Sequence, residues 1–348
     1  MRFQRVCLES FGYVLPECVV PSVELERRLA PVYERFNLHE GRLELMTGIR
    51  ERRLWPDGTL PSDASTQAGR RALEAAGASP DEIGCLFHTA VSRDFLEPAT
   101  ASVVHHNLRL SPTAVVYDLS NACLGFVNGM LNLANMIELG QVRRGLIVAG
   151  ENSRHLLETT IDQLVADPKL TKQDLKAAFA SLTIGSAAVA LVMAHESVSS
   201  TGHRLLGGAV RAATHHKDLC RGDGDAGFGR DARMSMSTDA ETLLLRGCEL
   251  AAETWADLRG NLAWCNDDVN RCFTHQVGVA HRERLYESIG VDLARDFSTL
   301  EFLGNVGSVS LPITMAIGVQ QEPPAAGDRI AMLGIGSGLN CVMLGVSW

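Results

Sequence analysis

Three things are scarce in this chain of 348 residues: aromatic side chains (5%), basic charge in surplus, and long apolar runs. Lysine and arginine number 32 against 41 acidic residues, a net charge of −9. Nucleic-acid binders carry a basic surplus, so that class is disfavoured. The longest apolar run, Ala187–Ala194, has eight residues, where a membrane span needs roughly 20. The opening MRFQRVCLES holds no apolar stretch of signal-peptide length, so the expectation is a cytoplasmic protein without a membrane span. Nine cysteines, odd in number and never spaced C-x-x-C, support neither a disulfide framework nor a zinc site. Few aromatics and 32 glycines favour tight turns and small-residue packing over a sandwich of aromatic pairs.

At 46% hydrophobic the chain can bury a sizeable core, and its length suits two units of about 150 residues. Short β-branched runs alternate with longer helical patterns. Strands are expected at Ile83–Ala90, Ala114–Leu119, Leu146–Gly150 and Ala187–Ala194, with helices at Ala64–Ala76 and Leu124–Leu139. The alternation returns with strands at Leu205–Arg211, Val269–Thr274, Arg329–Gly334 and Cys341–Val346 and helices near 238–260, 279–288 and 307–319. Such alternation implies an α/β layered fold in two halves of similar layout, 1–196 and 197–348, divided at a polar Ser/Gly connection. Residues 154–182 read as an amphipathic helical insertion and 215–236 as a Gly/Asp/Arg-rich loop.

Cys123 is the sharpest chemical signal. In Asp118–Gly129, DLSNACLGFVNG, a strand ends in a small-residue turn and a long helix begins. Placed in that helix's first turn, the thiol would feel the helix dipole, which favours the nucleophilic thiolate. His275 ends an apolar run, Asn305 lies in the Gly-flanked turn Gly304–Ser308, and Gly336-Ser337-Gly338 closes another strand. A histidine and an asparagine amide can both donate hydrogen bonds to a developing enolate. Taken singly, the same residues read equally as a core thiol, a structural histidine, a helix cap and a tight turn.

Together these motifs resemble the thiolase superfamily, in its 3-oxoacyl-ACP synthase III-like branch. The Cys123 elbow, His275-Gln276, GNxxSxSxP at Gly304–Pro312, the terminal Gly-Ser-Gly and Thr47–Arg53 (TGIRERR) occur in the expected order along nearly the whole chain. The resemblance implies a thiolase fold: two related halves with five-stranded mixed sheets, in five α-β-α-β-α layers, assembled as a homodimer. It makes Cys123 the acylated nucleophile, with His275 and Asn305 beside it and the backbone amides of Cys123 and Ser337 as oxyanion hole.

Within the branch, Ser92–Pro98 (SRDFLEP) is similar to the loop of the OleA family, which opens long-chain olefin biosynthesis. There a glutamate crosses the dimer interface; here it would be Glu97. Malonyl-ACP makes its carbanion by losing CO2, whereas an ordinary acyl-CoA must lose a weakly acidic α-proton, so a carboxylate base is useful. Thr183-Ile184-Gly185 and the 154–182 insertion also fit. Arg50 and Arg53, with Arg52 between them, could grip CoA phosphates. Phe126, Gly304 and the insertion's Leu156, Leu157, Leu164 and Val165 could line the substrate site or simply pack. Gly278, Arg42 and Met46 depart from the housekeeping synthases, which argues against acetyl-CoA priming. The implied reaction is non-decarboxylative Claisen condensation of two long-chain acyl-CoAs to a 2-alkyl-3-oxo acid. Acyl-CoA or acyl-ACP would be the substrate, no metal or redox cofactor is implied, and hydrocarbon-pathway enzymes would act downstream. The rivals are a decarboxylative synthase III, a thioesterase or acyltransferase of the same fold, and a non-catalytic chain-length factor.

Overall fold

The computed structural model describes residues 1–222 and 236–348. In chain order the first half forms β1 (Val6–Val14), β2 (Cys18–Pro21), β3 (Glu51–Leu54), β4 (Cys85–His88), β5 (Val115–Asp118), β6 (Arg144–Glu151) and β7 (Ala187–His195). The second forms β8 (Arg204–Ala212), β9 (Cys220–Gly222), β10 (Met236–Thr238), β11 (Arg271–Thr274), β12 (Asp296–Phe297), β13 (Arg329–Gly336) and β14 (Asn340–Ser347). β2–β3 and β9–β10 are separate two-stranded pairs. The 215–236 loop expected from the sequence falls mostly outside the described residues, with β9 and β10 at its margins.

The other ten strands run β12-β11-β13-β14-β8-β1-β7-β6-β4-β5. Counted from β1, the first half's sheet reads first-fifth-fourth-second-third strand, and counted from β8 the second half's reads the same. The senses match too. In each half the first two pairings are antiparallel and the last two parallel. The related halves implied by the sequence are therefore present, but their sheets are not separate. They meet edge to edge at β1 and β8 through one registered pair, Cys7 with Arg204, and the Leu8 N–H donating to the His203 carbonyl (2.8 Å).

Side-chain alternation along the strands sorts the core into layers. Leu86, Leu146 and Val148 face outward onto the helices Pro61–Ala76 and Thr100–Leu108. Their neighbours Phe87, Ile147 and Ala149 face inward onto the helices Gly125–Glu138 and Ser310–Gln321. Met332 and Leu344 of the second sheet close on that same central layer, while Ala331 and Met343 face the helices Ala240–Leu262 and Val279–Ile289. The five α-β-α-β-α layers follow.

The 154–182 insertion forms helices Arg154–Ala166 and Lys172–Ala178. Leu157 and Leu164 are buried, with Val165 against them, in a cluster with Leu25, Leu29, Val32 and Leu43 of the N-terminal helices. Leu157 and Leu164 thus pack a cap over the N-terminal helices, while Leu156 is half-buried outside that cluster. Among the described residues, no helix is long and apolar enough to cross a membrane.

Candidate active site

Beyond β5 the chain turns through Leu119–Leu124 before the helix Gly125–Glu138 starts. Ala122 takes a left-handed conformation (φ 44°), Asn121 bridges Cys123, and the Leu124 N–H donates to the Asn121 carbonyl (2.9 Å). A non-glycine residue in that region stores strain, which persists only where its surroundings hold it. Cys123 thus precedes the helix rather than occupying its first turn. Leu124 seats this elbow on the second half: its side chain fills the space where Gly334 and Gly336 of β13 have no Cβ.

That docking places Cys123 at the end of β13, where Ser337 follows. The backbone N–H groups of Cys123 and Ser337 both reach the Cys123 sulfur. Both donors favour the thiolate, yet burial outweighs them, with the Cys220 thiol and the Glu151 carboxylate adding to it, and pushes the Cys123 thiol up to about 12. The helix-lowered thiol expected from the sequence is overturned. Burial costs more than a helix starting two residues later returns. Cys123 still keeps part of its surface accessible. Cys220 carries no signal in the sequence, but its sulfur accepts hydrogen bonds from Ser337 Oγ (3.3 Å) and Thr238 Oγ1 (3.4 Å).

His275 follows β11, its N–H donating to Leu333 of the adjacent β13 (3.0 Å). Burial, with His281 nearby, holds its imidazole down to about 4, so the ring is neutral near pH 7. Its Nδ1 is buried without a hydrogen-bond partner. Gln276 is fixed below it, donating to the Thr274 carbonyl (3.0 Å) and accepting from Ser298 Oγ (2.7 Å).

Asn305 is clamped by Thr183-Ile184-Gly185: its N–H donates to the Thr183 carbonyl (3.0 Å) and its carbonyl accepts from the Gly185 N–H (2.9 Å). Its side-chain Oδ1 accepts from the Gly307 N–H (3.0 Å), which leaves the Nδ2 amide group as the donor on offer. Gly304 makes this turn possible: at φ 67°, a Cβ there would lie 2.5 Å from the Thr183 carbonyl oxygen. Three residues after Asn305, Ser308 Oγ accepts from the Phe126 N–H (2.9 Å), tying the asparagine turn to the helix behind Cys123.

Cys123, Ser337, His275 and Asn305 are therefore gathered at one end of the paired sheets. The other candidates are not all part of this group. Glu97 lies on the exposed loop Val91–Ala99, among exposed Phe95 and Leu96. Phe126 is buried in the core and Gly304 serves the turn. Of the arginines, Arg50 is exposed and paired with Glu301 (2.5 Å). Arg53 donates to the Pro16 carbonyl (2.9 Å), and fully buried Arg52 donates to Ser22 Oγ (3.0 Å) and the Leu182 carbonyl (3.2 Å). Arg52 is thus spent inside the protein behind the β2–β3 pair, Arg53 is half-buried against Pro16, and Arg50 stays exposed. Glu151, which ends β6 and is buried, escaped notice; a carboxylate closing the apolar run Leu146–Gly150 was its one signal.

A duplicated five-layer α/β fold with a cysteine under two backbone amides, a neutral histidine and a presented asparagine amide defines a condensing acyltransferase of the thiolase superfamily. The family description "3-Oxoacyl-[acyl-carrier-protein (ACP)] synthase III" matches residues 117–212, and its C-terminal counterpart matches 261–348. The chain is 41% identical to an acyl-CoA:acyl-CoA alkyltransferase of Shewanella oneidensis, over 100% of both chains. It is 37% identical to Xanthomonas campestris OleA in a crystal structure with bound lauric acid and lauroyl-CoA, with a TM-score of 0.93 over 99% of this chain and 100% of that one. A β-ketoacyl-[acyl-carrier-protein] synthase III of Cereibacter sphaeroides is 24% identical over 96% of each. The chain belongs to the acyl-CoA:acyl-CoA alkyltransferase, or OleA, family.

Proposed function

We propose that this chain joins two long-chain acyl-CoAs by non-decarboxylative Claisen condensation. The observation that carries the reading is the Cys123 sulfur beneath the converging N–H groups of Cys123 and Ser337, where a thioester oxyanion would sit. Cys123 takes the acyl group of the first acyl-CoA, the thiol proton leaving with free CoA. The second acyl-CoA then loses its α-proton to Glu97 of the partner subunit. Neutral His275 and the Asn305 amide hold the resulting enolate oxygen. The carbanion attacks the Cys123 thioester, a C–C bond forms, the C–S bond breaks, and the sulfur recovers a proton. Water cleaves the remaining CoA thioester to give the 2-alkyl-3-oxo acid. The residues call for no metal or redox cofactor in these steps.

This reading requires a homodimer, and an exposed apolar edge supports one. β5 is an edge strand with Val115 and Tyr117 exposed, and its neighbouring loop exposes Val91, Phe95 and Leu96 beside Glu97. An exposed apolar sheet edge of this kind is a surface that a second copy can cover. The acyl donors are taken as CoA thioesters, as in the relatives, and the enzyme as cytoplasmic, with hydrocarbon-forming enzymes consuming its product.

The test is incubation with myristoyl-CoA alone, measuring CoA release and products by mass spectrometry. The expected outcome is a 2-alkyl-3-oxo acid, or its ketone after loss of CO2. Glu97→Gln should still release CoA in the loading step but lose about 10²-fold or more of the condensation product, the usual contribution of a general base. Free fatty acid alone, or turnover only with malonyl-ACP, would overturn the reading.

A further inference from the structure

The Glu151 carboxylate is buried at the end of β6, and among the described residues no cation faces it. Its charge is met by four donors instead. Oε1 accepts from the Val91 N–H (2.8 Å) and the Ser308 N–H (3.2 Å), and Oε2 from the Ser92 N–H (3.0 Å) and Ser92 Oγ (2.8 Å). These donors belong to both halves of the chain. Val91 and Ser92 are the root of the loop that carries Glu97. Ser308 follows Asn305, and its Oγ in turn accepts from Phe126, three residues past Cys123. Gly307, the donor that orients Asn305 Oδ1, packs on the same carboxylate: a Cβ there would lie 3.0 Å from Oε1. One carboxylate thus touches the segments bearing Glu97 and Asn305 directly and the Cys123 elbow through Ser308.

We propose that Glu151 is a positioning residue that holds the Asn305 turn in register with Cys123 and anchors the loop that presents Glu97 to the partner's site, and so serves condensation more than acyl loading. The inference rests on the function proposed above. Loading needs Cys123 and the two oxyanion amides, neither of which Glu151 bonds. Condensation needs Asn305 and Glu97 as well, and Glu151 anchors the backbone of both. Its charge, with the Cys220 thiol, also faces Cys123 and disfavours the thiolate.

The test compares wild type, Glu151→Gln and Ser92→Ala as full-length proteins with myristoyl-CoA. It reads three quantities: the loading burst of CoA, the condensation product, and the pH profile of Cys123 alkylation by iodoacetamide. Glu151→Gln should lower the ratio of condensation to loading at least tenfold and move the alkylation profile to lower pH. Ser92→Ala removes one donor and keeps the charge, so it should lower the ratio by less and leave the profile in place; it also carries the test if Glu151→Gln does not fold. Wild-type ratios in every folded variant would overturn the proposal. So would equal losses of loading and condensation with an unmoved profile, the mark of a merely structural residue. Wild-type protein that loads or condenses nothing would instead overturn the function, while the alkylation profile still tests whether Glu151 acts on Cys123.

Discussion

A resting Cys123 should be slow toward a simple alkylating agent, although it is the nucleophile of the proposed reaction. Burial pushes its thiol up to about 12, some three units above the ordinary value. At 1.36 kcal/mol per unit, ionising it costs about 4 kcal/mol more than ionising a free thiol. At pH 8 that leaves about 10³-fold less thiolate. A thiolate of higher pKa is intrinsically more nucleophilic, which returns about 20-fold at a Brønsted slope near 0.45. The net expectation is alkylation about 50-fold slower than at an unperturbed accessible thiol. The assay is iodoacetamide labelling across pH 7–11, with each of the nine cysteines followed by peptide mass spectrometry and the exposed Cys18 and Cys265 as internal references. The Cys123 rate should climb about tenfold per pH unit past pH 10. Fastest labelling at Cys123, or a plateau below pH 9, would refute the reasoning: the amides and neighbouring groups would then outweigh burial, and the protein would rest as a thiolate. In the slow case acylation relies on the two amides, which stabilise the oxyanion as it forms on a bound thioester.

Two further outcomes follow from the same structure. Gly304→Ala places a Cβ 2.5 Å from the Thr183 carbonyl oxygen at φ 67°, so it should cost about 2–4 kcal/mol in urea unfolding and disturb Asn305, whereas Gly327→Ala, left-handed but in open space, should cost about 1 kcal/mol; equal costs would refute the contact argument. Stability should also fall on both sides of neutral pH. Cys85, Cys123, Cys272 and Cys341 are pushed up to about 12 by burial, so their contribution is whole below the unfolded thiol range near 8.5 and is lost as pH rises toward 12, by up to about 1.4 kcal/mol per unit for each. His275 and buried His88 are held low by desolvation, so theirs is whole above about 6.5 and is lost as pH falls toward 4. Unfolding midpoints that stay level from pH 8 to 10.5 and from 7 to 5 would contradict these burial assignments.

Local chemistry was legible in the chain before any fold was known. The strand–elbow–helix around Cys123, the Gly304–Ser308 turn and the Gly336–Gly338 turn are short-range patterns. Backbone preference and side-chain alternation act within a few residues, so they can be read from order alone. The alternating strands also declared the α/β class and its two similar halves. The tertiary structure decided everything that depends on which distant segments meet. It joined the two sheets edge to edge at β1 and β8 and withdrew Arg52 from solvent. It raised the Cys123 thiol where the helix argument had lowered it, because desolvation depends on the whole surroundings while a helix end acts only nearby. It also revealed Glu151, whose four hydrogen bonds span from Val91 to Ser308. Residue identity sets which chemistry is available; burial and long-range hydrogen bonding set each group's charge state and aim, and those arise only when the chain is folded.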